Sequence, residues 1–149
     1  MNISNSFDIS SSALTAQRLR MDVISSNIAN AETTRAKIEN GEAVPYKRKM
    51  VVLETSKPSF KNMLQTQMEG KDIQQGVIAT SIKEDTAPLK SVYNPTHPDA
   101  NAEGYVYMPN VDITKEMVDL ISASRSYEAN VTALNASKAM VSKALEIGR

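Results

Sequence analysis

The chain of 149 residues contains no cysteine and no tryptophan, and only 5% of its residues are aromatic. The absence of cysteine excludes disulfide scaffolds, cysteine zinc sites and cysteine nucleophiles. With so few aromatic side chains, small residues and methionine must do much of the core packing. The hydrophobic content of 41% argues against global disorder, and the length suits one modest domain.

An excess of charge of either sign is also missing, since the chain has 17 basic and 17 acidic residues. Nucleic-acid binders usually carry a basic excess, so the balance argues against a nucleic-acid partner. The one dense basic run, Lys47-Arg48-Lys49, lies in an alternating segment. We expect this run to be a solvated strand edge rather than a phosphate-binding track.

Two kinds of targeting segment are absent from the sequence. The N-terminus has neither a basic region nor an apolar region of the secretory type, so no cleaved signal peptide is predicted. No run approaches the roughly 18 apolar residues that a membrane span requires. We therefore expect no membrane insertion.

Signatures of catalysis are sparse as well. The single histidine, His97, lies between prolines with Asp99 and Glu103 nearby, and a turn residue is favoured over a metal ligand. Glycoside hydrolysis would need paired carboxylates, for which Glu84-Asp85 and Asp99 with Glu103 are candidates by composition only; solvated loop acids are favoured. No nucleophile-elbow, P-loop or dinucleotide motif is present. The sequence predicts a non-enzyme with no catalytic site, metal or cofactor.

Helical periodicity is confined to two long stretches, one near each end of the chain. The first runs from about Phe7 to Asn30 without glycine or proline, and residues 4–6 are candidate N-caps. The second begins after Asp112, an expected N-cap. It continues to a stop at Gly148, which predicts a helix of about 50 Å.

Apolar residues recur every seven positions in both stretches, which is typical of a coiled-coil seam. The predicted seam residues are Phe7, Leu14, Met21, Ile28, Ile113, Met117, Leu120, Tyr127, Val131, Leu134 and Val141. A second apolar face lies roughly opposite, at Ile9, Val23, Val118, Ala133 and Met140. Because a surface helix needs only one apolar stripe, we expect the seam to pair the helices within a subunit and the second face to meet neighbouring subunits.

The middle of the chain, residues 35–109, contains all six prolines and all but one of the glycines. Strands are predicted at 46–54, 76–84, 89–93 and 104–108, whereas 56–75 is ambiguous. The predicted fold class is α+β, in which the two terminal helices pair as an antiparallel coiled coil beside a small antiparallel β-rich segment. The predicted domains are an inner one, residues 1–34 with 110–149, and an outer one, residues 35–109.

The first helix ends in an unusually polar stretch, SSNIANAETT at residues 25–34. Asparagine and serine at a helix end can satisfy orphan carbonyls or form local turns. The stretch is therefore either a fraying tail or a surface that something else completes.

Two long motifs resemble those of bacterial flagellar axial proteins, the rod and hook family. In residues 12–35 an amphipathic helix ends in Asn-x-Ala-Asn-x-x-Thr, here Asn27, Ala29, Asn30 and Thr33. Residues 117–149 resemble the matching C-terminal helix and include Ser-Arg-Ser-Tyr-Glu-Ala-Asn. Most rod and hook proteins follow the first motif with a glycine-aromatic pair. This chain has Thr-Arg-Ala in place of that pair. Together with the segment at residues 92–112, this feature most resembles proximal-rod subunits.

The resemblance implies a structural subunit whose terminal helices build a helical tube around the export channel and transmit torque. It implies self-association and contacts with other rod proteins, with the MS-ring junction at the base and with the flagellar type III export apparatus. The expected location is the periplasmic rod, reached without a cleaved signal. Asn27, Asn30 and Thr33 are expected to hydrogen-bond to backbone there or across to another subunit.

Three alternatives remain at this point. The chain could be a paralogous rod or hook-junction subunit. It could be a soluble adaptor that folds alone and binds a partner through one helix. It could be an enzyme acting on cell-wall glycan through Asp99 and Glu103, since a rod must cross that layer.

Overall fold

The computed structural model of this chain describes residues 3–39, 42–56, 64 and 75–147. Within them, a helix at each end flanks a middle made of short antiparallel strand pairs, so the predicted α+β class is confirmed. The elements in chain order are α1 (Ile3–Ala29), β1 (Lys37–Glu39), β2 (Glu42–Val44), β3 (Lys49–Thr55), β4 (Val77–Glu84), β5 (Lys90–Tyr93), β6 (Tyr105–Met108) and α2 (Ile113–Ile147).

Helix α1 begins at Ile3, before the predicted start at Phe7. The capping prediction for residues 4–6 is wrong, because these residues already have helical backbone and an N-cap does not. Serine and asparagine are tolerated there, since the first turn has unbonded N–H groups in any helix. At the other end, the N–H groups of Asn30 and Ala31 bond back to the carbonyls of Ser26 and Ile28 and close the last turn.

Helix α2 is 35 residues long, which corresponds to about 52 Å. Its predicted N-cap is confirmed: Oδ1 of Asp112 accepts hydrogen bonds from the N–H groups of Thr114 at 3.0 Å and Lys115 at 3.4 Å. Pro109 lies buried just ahead of the cap. The predicted stop at Gly148 lies outside the described residues.

The strands form three two-stranded sheets, β1–β2, β3–β4 and β5–β6. The four predicted strands correspond to β3, β4, β5 and β6, while the β1–β2 hairpin was missed. In β1–β2, Lys37 pairs with Val44 and Glu39 with Glu42. In β5–β6, Lys90 pairs with Met108 and Tyr93 with Tyr105, whose rings meet edge to face at 5.3 Å. The ambiguous segment 56–75 lies almost wholly outside the described residues.

The chain divides into two compact units. The first comprises residues 1–19, 52–81 and 123–149. In it, the Ser12 hydroxyl donates to the carbonyl of Ile9 at 2.8 Å and accepts the N–H of Val77 at 3.1 Å. Gly76 permits this approach, because a Cβ at that position would lie only 3.2 Å from the Cβ of Ser12. The first residue of β4 is therefore anchored on α1.

The second unit comprises residues 20–51 and 82–122. It includes the last third of α1, both strands of β1–β2 and of β5–β6, and the first ten residues of α2. Its buried apolar side chains are Val23, Ile24, Tyr46, Val106 and Val111. Two polar side chains, Asn27 and Glu116, are buried among the residues of this unit.

Candidate assembly interface

Asn27, in the last turns of α1, is only 1% exposed and uses its whole hydrogen-bonding capacity. Its Nδ2 donates to the carbonyl oxygen of Lys49 and to Oε2 of Glu116, both at 2.9 Å. Its Oδ1 accepts the N–H of Lys49 at 2.9 Å and the hydroxyl of Tyr46 at 3.0 Å. An amide side chain has two donors and two acceptor sites, so one residue joins α1, the first residue of β3 and α2.

Tyr46 forms the aromatic wall of this site and is buried. Its hydroxyl donates to Asn27, and its backbone N–H bonds to the carbonyl of Thr33 at 3.1 Å. The Lys49 ammonium lies over its ring, 5.6 Å from the centroid, at a distance where a cation–π attraction operates. The residue therefore ties the segment before β3 to the polar end of α1.

Glu116, in the first turn of α2, is the other buried polar residue and is 1% exposed. Its Oε1 accepts a hydrogen bond from Nε of Arg48 at 2.6 Å and forms an ion pair with Nη2 of Arg48 at the same distance. Asp85 at 3.6 Å and Asp119 at 3.7 Å complete the ring of carboxylates around Arg48. A buried carboxylate persists only when it is paired, and Glu116 is paired with both a guanidinium and an amide.

Burial of Arg48 by itself disfavours its charge. The hydrogen bond and charge of Glu116, and then those of Asp85, outweigh that effect and raise the pKa of Arg48 above its ordinary value. Arg48 therefore stays charged. Together Asn27, Tyr46, Arg48, Lys49 and Glu116 make up what we call the junction cluster.

The junction cluster corrects two predictions. The basic run 47–49 is not simply a solvated strand edge, because the Arg48 side chain is 16% exposed and turns towards Glu116. Asp85 is not a solvated loop acid, because it pairs with Arg48. In both cases a partner distant in sequence removes the side chain from solvent.

A second ion pair lies near the end of α1. The guanidinium of Arg35 pairs with Oδ1 of Asp99, and the Thr34 hydroxyl donates to its Oδ2 at 2.9 Å. These bonds, that of Arg35 first, lower the pKa of Asp99 below its usual value. The solvated-acid prediction for Asp99 is therefore wrong. His97 lies in a turn, where its Nδ1 accepts the N–H of Asp99 at 3.1 Å.

The other residues of the Asn-x-Ala-Asn-x-x-Thr motif lie closer to the surface. Nδ2 of Asn30 donates to the carbonyl of Ser26 at 2.9 Å, and the Thr33 hydroxyl donates to Oδ1 of Asn30 at 3.3 Å. Ala29 is exposed. The polar stretch is thus a hydrogen-bonded terminus centred on Asn27.

The predicted seam residues differ in exposure. Half-buried are Phe7, Leu14, Met21, Ile28, Leu120, Tyr127, Val131, Leu134 and Val141. Ile113 and Met117 are exposed, at 44% and 54%. Both side chains face solvent in the single chain, which does not suit the predicted pairing of α1 with α2 at these two positions.

The predicted second face also divides. Val23 is buried in the core of the second unit, so it is not available to a neighbour, which corrects that prediction. Ile9 is half-buried, whereas Val118, Ala133 and Met140 are exposed. Ile121, which lies outside both predicted faces, is 60% exposed beside Val118 at 61%. We define the α2 stripe as Ile113, Met117, Val118 and Ile121.

The described residues offer little basis for other kinds of site. Neither of the described helices is long and apolar enough to cross a membrane. Among the same residues, no group of three or more histidine or acidic side chains could hold a metal ion.

Two known protein families match the chain, one at each end. Residues 7–37 match the family described as flagella basal body rod protein. Residues 102–147 match the family described as flagellar basal body rod FlgEFG protein C-terminal. The two matches contain α1 from Phe7 onward and all of α2, so they include Asn27 and Glu116.

Similarity to individual proteins extends over the whole chain. A protein of Bacillus subtilis (strain 168), named flagellar basal-body rod protein FlgC, is 59% identical over all of both chains. The chain belongs to the FlgC family of flagellar basal-body rod proteins. A FlgC of Borreliella burgdorferi is 44% identical over 99% of this chain and 98% of its own. One of Escherichia coli O157:H7 is 43% identical over all of both chains. The resemblance inferred from the FlgC-like motifs is thereby confirmed.

Proposed function

We propose that this chain is a non-catalytic structural subunit of the proximal rod in the bacterial flagellar basal body. Membership of the FlgC family over its full length carries the proposal. A structural role also agrees with the chemistry of the described polar clusters, since their carboxylates are taken up by arginine partners.

The junction cluster suits a subunit that must transmit force. It fastens the end of α1, the start of β3 and the start of α2 through buried and part-buried hydrogen bonds. Fully satisfied buried polar networks are directional, so they fix a geometry in a way that apolar contacts alone do not. The angle between these elements is set by the same bonds.

The α2 stripe supplies a surface for polymerisation. Ile113, Met117 and Ile121 recur at four-residue spacing, and all three are exposed. Each apolar side chain buried in a contact would contribute about 1.5–3 kcal/mol. Contacts between different surfaces of identical subunits that do not close a ring generate a helical filament, which is the geometry of a tube.

Several finer features belong to the same proposal. The seam residues other than Ile113 and Met117 would pair α1 with α2 within a subunit, and Val118, Ala133 and Met140 would meet neighbours. Residues 1–34 and 110–149 would form the inner layer and 35–109 the outer layer. The subunit would leave the cell through the type III export apparatus uncleaved, and would contact other rod proteins and the base of the rod in the periplasm.

Isolated basal bodies test the proposal. Cells that carry the tagged chain as their only copy should yield basal bodies in which it is a stoichiometric rod component. Electron microscopy should trace both terminal helices in the rod density. Intact rods and motility in cells lacking the chain would contradict a structural role and would favour a dispensable adaptor.

Point variants separate assembly from export. Leu120→Asp or Leu134→Asp should abolish rod assembly if the seam is correct. Asn30→Leu should impair assembly more than export, because Asn30 caps the end of α1 through Ser26. If Asn30→Leu reduced rod assembly and export equally, the motif would be a secretion signal instead.

A further inference from the structure

A cleft of about 490 Å³ beside the junction cluster concentrates positive charge in a chain that is neutral overall. All of its lining residues belong to the second unit. The charged side chains that line it are Arg35, Lys37, Lys47, Lys49 and Glu84. Of the described residues, four basic ones and one acidic one therefore line a cavity whose volume falls in the range typical of small-ligand sites.

The lysines are the available charges. Arg35 is occupied by Asp99. Among the described residues, by contrast, no carboxylate forms an ion pair with Lys37, Lys47 or Lys49. A cavity lined by three unneutralised ammonium groups has a local positive potential that attracts an anion. The hydrogen bonds between Asn27 and Lys49 involve only the backbone of Lys49, so its ammonium group is not used in them.

Tyr46 gives the cleft a rigid wall. Its ring is held by the hydrogen bond to Asn27, and the Lys49 ammonium lies against its face at 5.6 Å. This contact restricts the Lys49 side chain towards the cleft and lowers the entropy that binding would cost. Lys37 in β1 and Lys47 before β3 are exposed, so their ammonium groups can approach a ligand from its open side.

We propose that this cleft binds a ligand bearing two or more phosphate groups. Lysine presents a compact point charge suited to phosphate, whereas planar bidentate recognition of a carboxylate is the geometry of arginine. The one arginine lining the cleft already has its carboxylate in Asp99. Three ammonium groups in one cavity match a ligand with several negative charges better than a single monoanion.

Calorimetric titration of the full-length chain with sodium tripolyphosphate, without divalent cations, tests the proposal. Saturable binding of one ligand per chain is expected. The double substitution Lys37→Gln/Lys47→Gln should weaken it about tenfold, the equivalent of about 1.4 kcal/mol. Glu84→Gln should strengthen it about threefold, because it removes the one acidic group that lines the cleft among the described residues.

Lys83→Gln is the matched control, since Lys83 is exposed on the same strand as Glu84 and does not line the cleft. The affinity of the Lys83→Gln variant for tripolyphosphate should stay within about twofold of that of the unmodified chain. Equal weakening by Lys83→Gln and Lys37→Gln/Lys47→Gln would overturn the site in favour of general charge attraction. Binding of a hexaglutamate peptide as tight as that of tripolyphosphate would overturn the phosphate assignment. Circular dichroism of each variant checks that the fold is retained.

Discussion

At the scale of single residues, Asn27 shows why an asparagine near the end of α1 is not interchangeable with other polar residues. Its amide mimics a strand partner, because it donates to the carbonyl of Lys49 and accepts the N–H of the same residue. The remaining donor and acceptor reach Glu116 and Tyr46. An aspartate of the same shape would have no donors, and it would place a second negative charge beside Glu116.

Glu116→Gln tests the junction cluster at one atom. The substitution keeps the shape and removes the charge that neutralises Arg48. Breaking a buried ion pair by removing one partner is strongly destabilising, so we expect a loss of about 3 kcal/mol in the free energy of unfolding. Urea denaturation followed by circular dichroism measures the loss.

Glu128→Gln is the matched control for Glu116→Gln. Glu128 lies on the same helix and pairs with Arg125 at 3.2 Å, but both side chains are mostly exposed. Exposed pairs contribute little, so a loss of about 0.5 kcal/mol or less is expected. If the two variants lost equal stability, the Arg48–Glu116 pair would not hold the unit together.

The Arg35–Asp99 pair predicts a pH dependence of definite sign. The pKa of the folded Asp99 lies below the ordinary value of an aspartate. Its stabilisation is therefore present above that value and is lost as the pH falls through the lower folded pKa. Carboxyl carbon NMR should find the Asp99 pKa lowered in the unmodified chain and moved upward in Arg35→Gln. An unchanged pKa in Arg35→Gln would contradict the assignment.

Residue-scale features were only partly predictable from the sequence. The motif drew attention to Asn27, and a tyrosine in an aromatic-poor chain could have drawn attention to Tyr46. Arg48 and Glu116 carried no comparable signal, because they are 68 residues apart and each looks like a surface charge. Burial of a charge depends on its partner, and a periodic pattern does not identify partners at that separation.

At the scale of elements, the helices and strands that could be predicted from the sequence are those with a clear pattern in neighbouring residues. Four strands followed from alternating, β-branched segments, and the N-terminus of α2 followed from Asp112. The β1–β2 hairpin was missed although its signal is in the sequence. Asn40-Gly41 stands between the paired residues Glu39 and Glu42, and this dipeptide favours two-residue hairpin loops. Short flanking strands gave too little alternation to support it.

The α2 stripe predicts that stability and assembly respond differently to one substitution. Val118→Asp and Ile121→Asp place a charge on a surface that is already exposed in the single chain. The free energy of unfolding of each variant should change by about 0.5 kcal/mol or less. Incorporation into rods should fall sharply, because an unpaired charge in a contact is costly. Basal-body yield and motility of cells carrying each variant provide the measurement.

Lys115→Asp is the control for the α2 stripe. Lys115 is exposed on the same turn of helix but points about 60° beyond Val118, away from Met117 and Ile121. Rods should form with this variant. Normal assembly with Val118→Asp and Ile121→Asp would remove the stripe from the set of subunit contacts.

At the scale of the whole molecule, the uneven burial of α2 links the fold to assembly. Ala123 is buried, whereas no residue from 124 to 146 is. A helical stretch whose side chains are at most half-buried depends largely on propensity and on local pairs such as Lys143–Glu146, and helices with little tertiary packing are marginal in water. The amides of residues 128–146 should therefore exchange quickly with solvent in the isolated chain.

Assembly should change that exchange. Hydrogen exchange with mass spectrometry, comparing isolated chain with assembled rods, should find protection of residues 128–146 increased at least about tenfold in the rod. Residues 113–122, held by Glu116 in the isolated chain, should start from higher protection. Strong protection of residues 128–146 before assembly would mean that the helix is complete by itself. That outcome would favour an independently folded adaptor over a subunit whose terminal helix is completed by its neighbours.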